Sequence, residues 1–213
     1  MSSYALDLEY RNNELALVGQ LRVGSEQAYE VLVQLFQEPV YSLAYRILGN
    51  HAEAADAAQE TFLKVFKGIG SFRGDCGLKT WIYKVTISES LNRLRWWKRW
   101  RKHAPVSIDD PLGSDGTQLG PPREIPDQTQ SPDLALHRRE VERTIQRALK
   151  SIAVEYRLVV ILRDIEGFSY EEIAETLKIS LGTVKSRLWR GRLELKAAVQ
   201  PYLGPEFDSK GLL

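Results

Sequence analysis

The chain has 213 residues, of which 43% are hydrophobic, and its 29 basic and 28 acidic residues leave a formal net charge of +1. This length accommodates one large domain or two small ones, and the hydrophobic fraction argues against disorder of the whole chain. A net charge so close to zero excludes no class of partner, because the positions of the basic residues matter more than their sum.

Cys76 is the one cysteine of the chain, so an internal disulfide framework is excluded. The histidines are scattered and give no metal-ligand spacing with Cys76, so we expect no metal and no other cofactor. Residues 1–13 lack the apolar core of a secretory signal, and no stretch approaches the ~20 apolar residues of a membrane span. These features predict a cytoplasmic protein that does not insert into membranes.

The first part of the chain predicts three helices. Apolar residues repeat at helical spacing over residues 26–48, where Pro39 should kink or restart the helix. A second helix is predicted over residues 52–67, and its apolar side consists of Ala55, Ala58, Phe62, Leu63 and Phe66. Glycines loosen the chain after it, and a long third helix follows over residues 78–102. We find no β alternation and no internal repeat, so the predicted fold is all-α.

The third predicted helix is basic and carries tryptophans. Its basic residues are interrupted by one acid, Glu89, and they alternate with Trp81, Trp96, Trp97 and Trp100. Basic side chains bind phosphates through counterion release, and aromatic faces stack on unpaired bases. The pattern favours single-stranded or melting nucleic acid, although Trp81 is also expected to belong partly to the core. A helix of this composition could instead lie on a membrane surface.

Residues 103–135 have a different composition from their flanks. The segment is rich in proline and glycine, and its acids outnumber its single basic residue, Arg123. Such a segment buries too little apolar surface to order itself, which favours a flexible acidic linker. The alternative, a long loop inside one domain, is rare in compact domains. We therefore predict two small helical domains, residues 14–102 and 136–203.

A helix-turn-helix is predicted near the end of the chain. Helical spacing over residues 141–165 stops at Gly167, and Ser169 with Glu172 then fits a capping box. This box opens a short helix whose inner face consists of Ile173, Ala174 and Leu177. Residues 178–180 make a tight turn into another helix that runs to about Ala197.

The second helix of this motif has two different sides. Val184, Leu188, Gly191 and Leu195 face inward at about 100° per residue. The outward side presents Ser186, Trp189 and Arg190, with Lys185 and Arg187 on its flanks. A recognition helix needs this division, because outward donors meet phosphates and base edges. A solvated basic face would have a similar composition, but the adjoining capping box and turn favour DNA binding.

Blocks of this sequence resemble one protein family. Residues 162–192, with the sequence LRDIEGFSYEEIAETLKISLGTVKSRLWRGR, resemble region 4 of the extracytoplasmic-function sigma factors of bacterial RNA polymerase. Residues 52–66 resemble region 2.2 of that family, and residues 72–75 with 80–85 resemble regions 2.3 and 2.4. The resemblance covers roughly residues 14–102 and 136–200. It implies an initiation factor with a region 2 helical bundle and a region 4 helix-turn-helix.

The resemblance also implies partners and contact residues. Core polymerase would be bound through its beta-prime clamp and beta flap, and the residues facing the clamp would be Asp56, Gln59, Glu60 and Phe62. On residue patterns alone, acids at that position would only favour the helix dipole. Residues contacting the minus-ten promoter element would be Phe72, Arg73, Lys79, Trp81, Lys84, Ser88, Asn92 and Arg95. Residues contacting the minus-thirty-five element would be Thr183, Lys185, Ser186, Arg187, Trp189 and Arg190.

Further expectations follow from the same resemblance. The acidic linker would thread the RNA path of the polymerase, and an anti-sigma factor would mask the functional surfaces. Ser88 stands where the family commonly has asparagine, which bears on the base that is read there. Gly191 stands where alanine is usual. Because glycine inside a helix costs about 1 kcal/mol, it is expected to loosen the end of the recognition helix.

Two other functional classes fit parts of the sequence. A stand-alone helix-turn-helix regulator would bind duplex DNA and would not need the acidic surface around Asp56. A recombinase-like enzyme would need a nucleophile with supporting residues. The sequence shows no Ser/Arg cluster, no metal-binding carboxylate set and no glycine-rich phosphate loop, so no enzymatic activity and no catalytic residue are predicted.

Overall fold

The structure, a computed structural model, describes residues 3–103 and 132–202. Its helices are α1 (Ser3–Arg22), α2 (Glu26–Leu48), α3 (His51–Gly68), α4 (Leu78–His103), α5 (Pro132–Ser151), α6 (Val154–Val160), α7 (Tyr170–Leu177) and α8 (Leu181–Val199). Short helical turns cover Ile69–Ser71, Ile161–Ile165 and Gln200–Tyr202. The described residues contain no β-strand, and the all-α prediction is confirmed.

The chain divides into two compact units. Among the described residues, 3–45 and 50–103 make up the first unit, and 46–49 and 132–202 make up the second. Most of the predicted linker, residues 103–135, lies outside the described residues. At its edges α4 continues to His103 and α5 begins at Pro132, so both helices extend into the segment that was predicted to be linker. Within the described ranges, no helix is long and apolar enough to cross a membrane.

Helices α1 to α4 surround the core of the first unit. The buried residues of this core include Val18 and Leu21 of α1, Leu32 and Val40 of α2, Val65 of α3 and Ile82 of α4. Helix α2 runs through Pro39 as one element, so the expected restart at this proline does not occur. Val40 and Leu43, which follow the proline, are fully buried. Their packing compensates for the backbone hydrogen bond that proline removes.

The core face of α3 is made of small residues: Ala54, Ala57, Ala58, Thr61 and Val65. The apolar side predicted for this helix coincides with its core face only in part. Ala58 and the half-buried Phe62 lie on the core, whereas Ala55, Leu63 and Phe66 are exposed. Small side chains let α3 pack closely on α4, and the larger residues turn outward as a result. The Phe66 ring packs on Tyr29 instead, with 4.6 Å between the ring centroids.

The helical stretch predicted over residues 141–165 is interrupted in the second unit. Helix α5 ends at Ser151, α6 begins at Val154, and the chain then widens into a π-helical turn over Ile161–Ile165. Residues 158–162 are all buried, which a regular amphipathic helix on a core surface does not allow. The interruption and the wider turn accommodate this run of buried side chains. At the start of the stretch, by contrast, Val141 and Ile145 are exposed.

Gly191 lies where α6 and α8 approach each other closely. A Cβ atom at this position would lie 2.6 Å from Val160 Cγ2 and 3.1 Å from the carbonyl oxygen of Tyr156. The first of these distances is too short for a real contact, so the approach requires glycine. Helix α8 continues through Gly191 to Val199, so the glycine does not interrupt it. Gly191 lowers the intrinsic stability of the helix, but it permits the close contact between α6 and α8.

Replacing this glycine should therefore destabilise the second unit. We expect Gly191→Ala to lower the free energy of unfolding by about 1–3 kcal/mol through overpacking, although alanine is the better helix former. Urea unfolding followed by circular dichroism measures the change. Gly182→Ala in the same helix is the matched control, because the nearest atom to its Cβ would be Ser180 Oγ at 3.9 Å. Equal stability of the two variants would contradict the packing argument.

Candidate nucleic-acid interfaces

Local hydrogen bonds fix the helix-turn-helix of the second unit. Ser169 and Glu172 form the predicted capping box: the Glu172 amide donates to Ser169 Oγ at 3.1 Å, and the Ser169 amide donates to Glu172 Oε2 at 2.8 Å. Lys178 ends α7 in the left-handed conformation, with φ of 54°. Ser180 then caps α8 by accepting from the Thr183 amide at 3.1 Å. The predicted motif is confirmed.

Helix α8 separates its inward and outward residues as the sequence predicted. Val184, Leu188 and Gly191 are buried, and Leu195 is half-buried. The residues predicted to contact duplex DNA lie on the other side: Lys185, Ser186, Trp189 and Arg190 are exposed, and Thr183 and Arg187 are half-buried. Trp189 is 64% exposed, which is unusual for so large a side chain. The outward face thus carries Ser186, Trp189 and Arg190, and the other three predicted residues lie beside it.

Two arginines of α8 bind acceptors of the preceding elements. Arg190 Nη1 donates to the Tyr156 hydroxyl at 3.3 Å, and this hydrogen bond raises the pKa of the Arg190 guanidinium. Arg192 makes two hydrogen bonds to Asp164, at 3.0 and 2.6 Å, which raise its pKa in the same way. Each of these hydrogen bonds joins a guanidinium of α8 to a preceding element of the second unit.

The sequence did not predict the role of Tyr156. Helical spacing assigned this residue to an apolar series, and its ring is indeed half-buried. Its hydroxyl nevertheless reaches a guanidinium on another helix, 34 residues later. Periodicity reports which side of a helix is apolar and does not report where the polar end of an amphipathic side chain lies.

In the first unit, α4 carries a polar line opposite its buried side. Lys84, Ser88, Asn92 and Arg95 recur at spacings of three or four residues and therefore share one face. Ser88, Asn92 and Arg95 are exposed, and Lys84 is half-buried. The opposite side of the helix is buried and includes Ile82, Tyr83, Thr86, Ile87 and Ser90. Four of the residues predicted to contact single-stranded DNA are thus brought together.

The loop before α4 and the first turn of that helix contain the other predicted residues. Phe72 is 6% exposed and packs on the half-buried Trp81, with 5.2 Å between ring centroids. Direct stacking of Phe72 on a base is not supported by this packing, because the ring closes the core beneath the loop. Arg73 and Lys79 are exposed, and Lys79 Nζ lies 5.2 Å from the centroid of the Tyr83 ring. The loop and the first turn of α4 therefore present positive side chains outward, and aromatic side chains pack beneath them.

The acidic residues of α3 lie beside this basic helix. Asp56, Gln59 and Glu60 are exposed, whereas Phe62 is half-buried against the core. Arg93 of α4 donates to Glu53 at 2.8 Å and to Asp56 at 3.3 Å. Arg93 is therefore engaged within the unit, and part of the negative charge of the α3 surface is compensated. No group of three or more His, Cys, Asp or Glu among the described residues could hold a metal ion.

Comparison with known proteins identifies relatives of both units. The family model of sigma-70 region 2 matches residues 32–101, and that of sigma-70 region 4 matches residues 142–195. RNA polymerase sigma-H factor of Pseudomonas aeruginosa is 33% identical over 187 residues, which cover 88% of this chain and 94% of that protein. ECF RNA polymerase sigma factor SigW of Bacillus subtilis is 32% identical over 180 residues, covering 84% and 92%.

Two solved structures are also similar to this chain. The sigma factor RpoE of Bartonella quintana, in complex with the anti-sigma factor NepR, aligns with a TM-score of 0.57 and 26% identity over 81% of this chain and 96% of its own. CnrH, in complex with the cytosolic domain of CnrY, aligns with a TM-score of 0.59 over 88% and 97%. At 19% identity the likeness to CnrH concerns the fold alone.

The contact between Tyr156 and Arg190 gives a testable prediction. Tyr156→Phe removes the hydroxyl that holds the guanidinium, so we expect affinity for duplex DNA to fall roughly three- to tenfold while the unfolding midpoint stays unchanged. Fluorescence anisotropy with a duplex selected by the wild-type chain measures the affinity. Tyr202→Phe serves as the control, because Tyr202 packs under Arg147 and not against α8's outward arginine. Wild-type affinity in Tyr156→Phe would rule out a role for the hydroxyl.

Proposed function

We propose how this chain works from one premise: it belongs to the extracytoplasmic-function sigma factors, the initiation factors that direct bacterial RNA polymerase to promoters. The observation that carries the proposal is the placement of exposed basic side chains. Each matched region lies in a different compact unit, and each unit has a helix with one buried and one exposed polar face, α4 in the first and α8 in the second. A factor that reads two separated promoter elements needs two such faces.

The first proposed step is docking on core polymerase through α3. Asp56, Gln59 and Glu60 form one exposed surface that can meet a basic partner, and Phe62 supports it from the core side. The beta-prime clamp would receive this surface, and the second unit would contact the beta flap. The proposed units are residues 14–102 and 136–203, and the acidic segment between them would follow the RNA path of the polymerase.

The second step is anchoring on the upstream element through α8. Its exposed Lys185 and Arg190 offer donors for phosphates and guanine edges. The Trp189 ring would lie against sugar or thymine methyl groups beside them. The Tyr156 hydroxyl restricts where Arg190 can reach.

The third step is capture of the minus-ten strand by the first unit. The line of Lys84, Ser88, Asn92 and Arg95 would follow the non-template strand, with Arg73 and Lys79 at the loop. Ser88 is exposed on this line, and its hydroxyl is carried on a shorter side chain than the amide of asparagine. We therefore propose that Ser88 changes the base preference at this position. Trapped single-stranded bases would lower the free energy of the open promoter.

Catalysis is assigned to the polymerase in this proposal. The chain supplies positioning and strand separation, and we assign it no enzymatic activity and no cofactor. Because the chromosome and the polymerase are in the bacterial cytoplasm, we propose that the chain acts there. The RpoE relative forms a complex with an anti-sigma factor. By analogy, we propose that a protein of that kind masks the promoter-binding surfaces of this chain.

Run-off transcription tests the proposed function. Purified bacterial core polymerase is incubated with a supercoiled promoter library, with and without the full chain. We expect start sites that depend on the chain, and their upstream sequences give the two promoter elements. Tight duplex binding without transcription, and without co-migration with core polymerase, would contradict the proposal. That outcome would favour a stand-alone helix-turn-helix regulator.

Charge reversal at Asp56 tests the docking surface. We expect Asp56→Arg to weaken binding to core polymerase at least about tenfold, because it places like charges against a basic partner. The fold should persist, since Arg93 keeps its ion pair with Glu53. Binding is measured by competition against the wild-type chain. Glu30→Arg makes the same charge change on the exposed side of α2 and is the control; equal effects of the two variants would contradict the assignment.

A further inference from the structure

Helix α1 contacts both ends of the loop that precedes α4, residues 72–77. At one end, Glu14 Oε1 accepts a hydrogen bond from the Leu78 amide at 2.8 Å. At the other end, Arg22 Nη2 donates to the carbonyl oxygen of Phe72. These contacts join residues 64 and 50 positions apart, so they come from the fold and not from local sequence.

The contact from Glu14 gives α4 an acceptor that the glycine at its capping position cannot supply. Gly77 accepts the first helical hydrogen bond of α4, from the Trp81 amide at 3.0 Å, and thus occupies the capping position. Glycine has no side chain with which to bind the free amides of the first turn. The Glu14 carboxylate provides that acceptor, and its negative charge is favoured at the positive end of the helix. In the second unit, by contrast, α7 and α8 are each capped by the serine that directly precedes the helix, Ser169 and Ser180.

The core holds α1 in place, so its two contacts are fixed relative to each other. Val18 and Leu21 lie between Glu14 and Arg22 in sequence and are buried in the core of the first unit. Eight residues of helix separate the two contact residues by about 12 Å along the axis. The loop is therefore held at both ends by one helix that is anchored in the core. Its exposed residues, such as Arg73, are presented from that frame.

We propose that Glu14 and Arg22 are positioning residues for recognition of the minus-ten strand. Through them α1 sets the conformation of residues 72–77 and the start of α4, where bases of the strand would be received. This inference rests on the proposed function of that loop. It assigns to α1 a role in DNA recognition without any contact between α1 and DNA.

Two substitutions separate positioning from simple stabilisation. Glu14→Ala removes both the cap of α4 and the connection to α1. Gly77→Ser supplies a local acceptor for the Lys79 or Thr80 amide of the same turn, and the site has room, since the nearest atom to a Cβ there would be Glu14 Oε2 at 3.9 Å. The double variant therefore has a capped helix without the connection. We expect its unfolding midpoint to return to the wild-type value.

Strand capture is measured with holoenzyme on a promoter that the wild-type chain uses. The probe is the single-stranded non-template oligonucleotide of its minus-ten region. We expect the double variant to bind this probe at least about tenfold more weakly than the wild type or Gly77→Ser alone, since a hydrogen bond to a charged group is of that order. Affinity for core polymerase and for a duplex carrying only the upstream element should not change.

Each outcome distinguishes the inference from its premise. Wild-type probe affinity in the double variant would overturn the positioning role and leave Glu14 as a helix cap. Arg22→Gln leaves that cap intact and provides an independent test, with several-fold weaker probe binding expected and unchanged binding contradicting the proposal. If the wild-type chain itself fails to initiate transcription with core polymerase, the proposed function fails, whatever these variants do.

Discussion

Free amides at the start of a helix are the constraint on which both candidate DNA-binding helices depend. Helix α8 satisfies this requirement locally through Ser180, and α7 does so through the reciprocal pair of Ser169 and Glu172. Helix α4 begins after a glycine and takes its acceptor from Glu14 on another helix. The recognition motif of the second unit is therefore encoded within a short segment, whereas the corresponding helix of the first unit is placed by its tertiary fold.

Some basic residues of this protein form ion pairs within their own unit, and others are exposed on the candidate DNA-binding faces. Arg93 is engaged by Glu53 and Asp56, and Arg192 is engaged by Asp164. Other basic residues, including Arg95 and Lys185, lie exposed on the faces that would meet DNA. Overall charge is a poor guide to such a division, because a chain with a net charge of +1 can still present two basic faces.

The sequence predictions were accurate where a feature depends on residues close in sequence, and less accurate where it depends on contacts between distant residues. The capping box, the turn and the two sides of α8 were predicted because each depends on residues a few positions apart. The core face of α3 was predicted only in part, since close packing on α4 selects small residues over large ones. Gly191 seemed a weakness in isolation, and only its distance to Val160 explains it. The contacts of Glu14 and Tyr156 bridge separate elements, and a single sequence carries no signal for them.

The position of α1 has a consequence for dividing this protein into fragments. The region 2 family model begins at residue 32, after the whole of α1. A fragment designed on that boundary would keep every recognised motif of the first unit and lose Val18 and Leu21 from its core, together with the acceptor for α4. The boundary of a family model marks where sequence similarity between relatives can be detected, and a folded unit can extend beyond it. A fragment that retains these core residues and the acceptor for α4 has to begin upstream of Glu14.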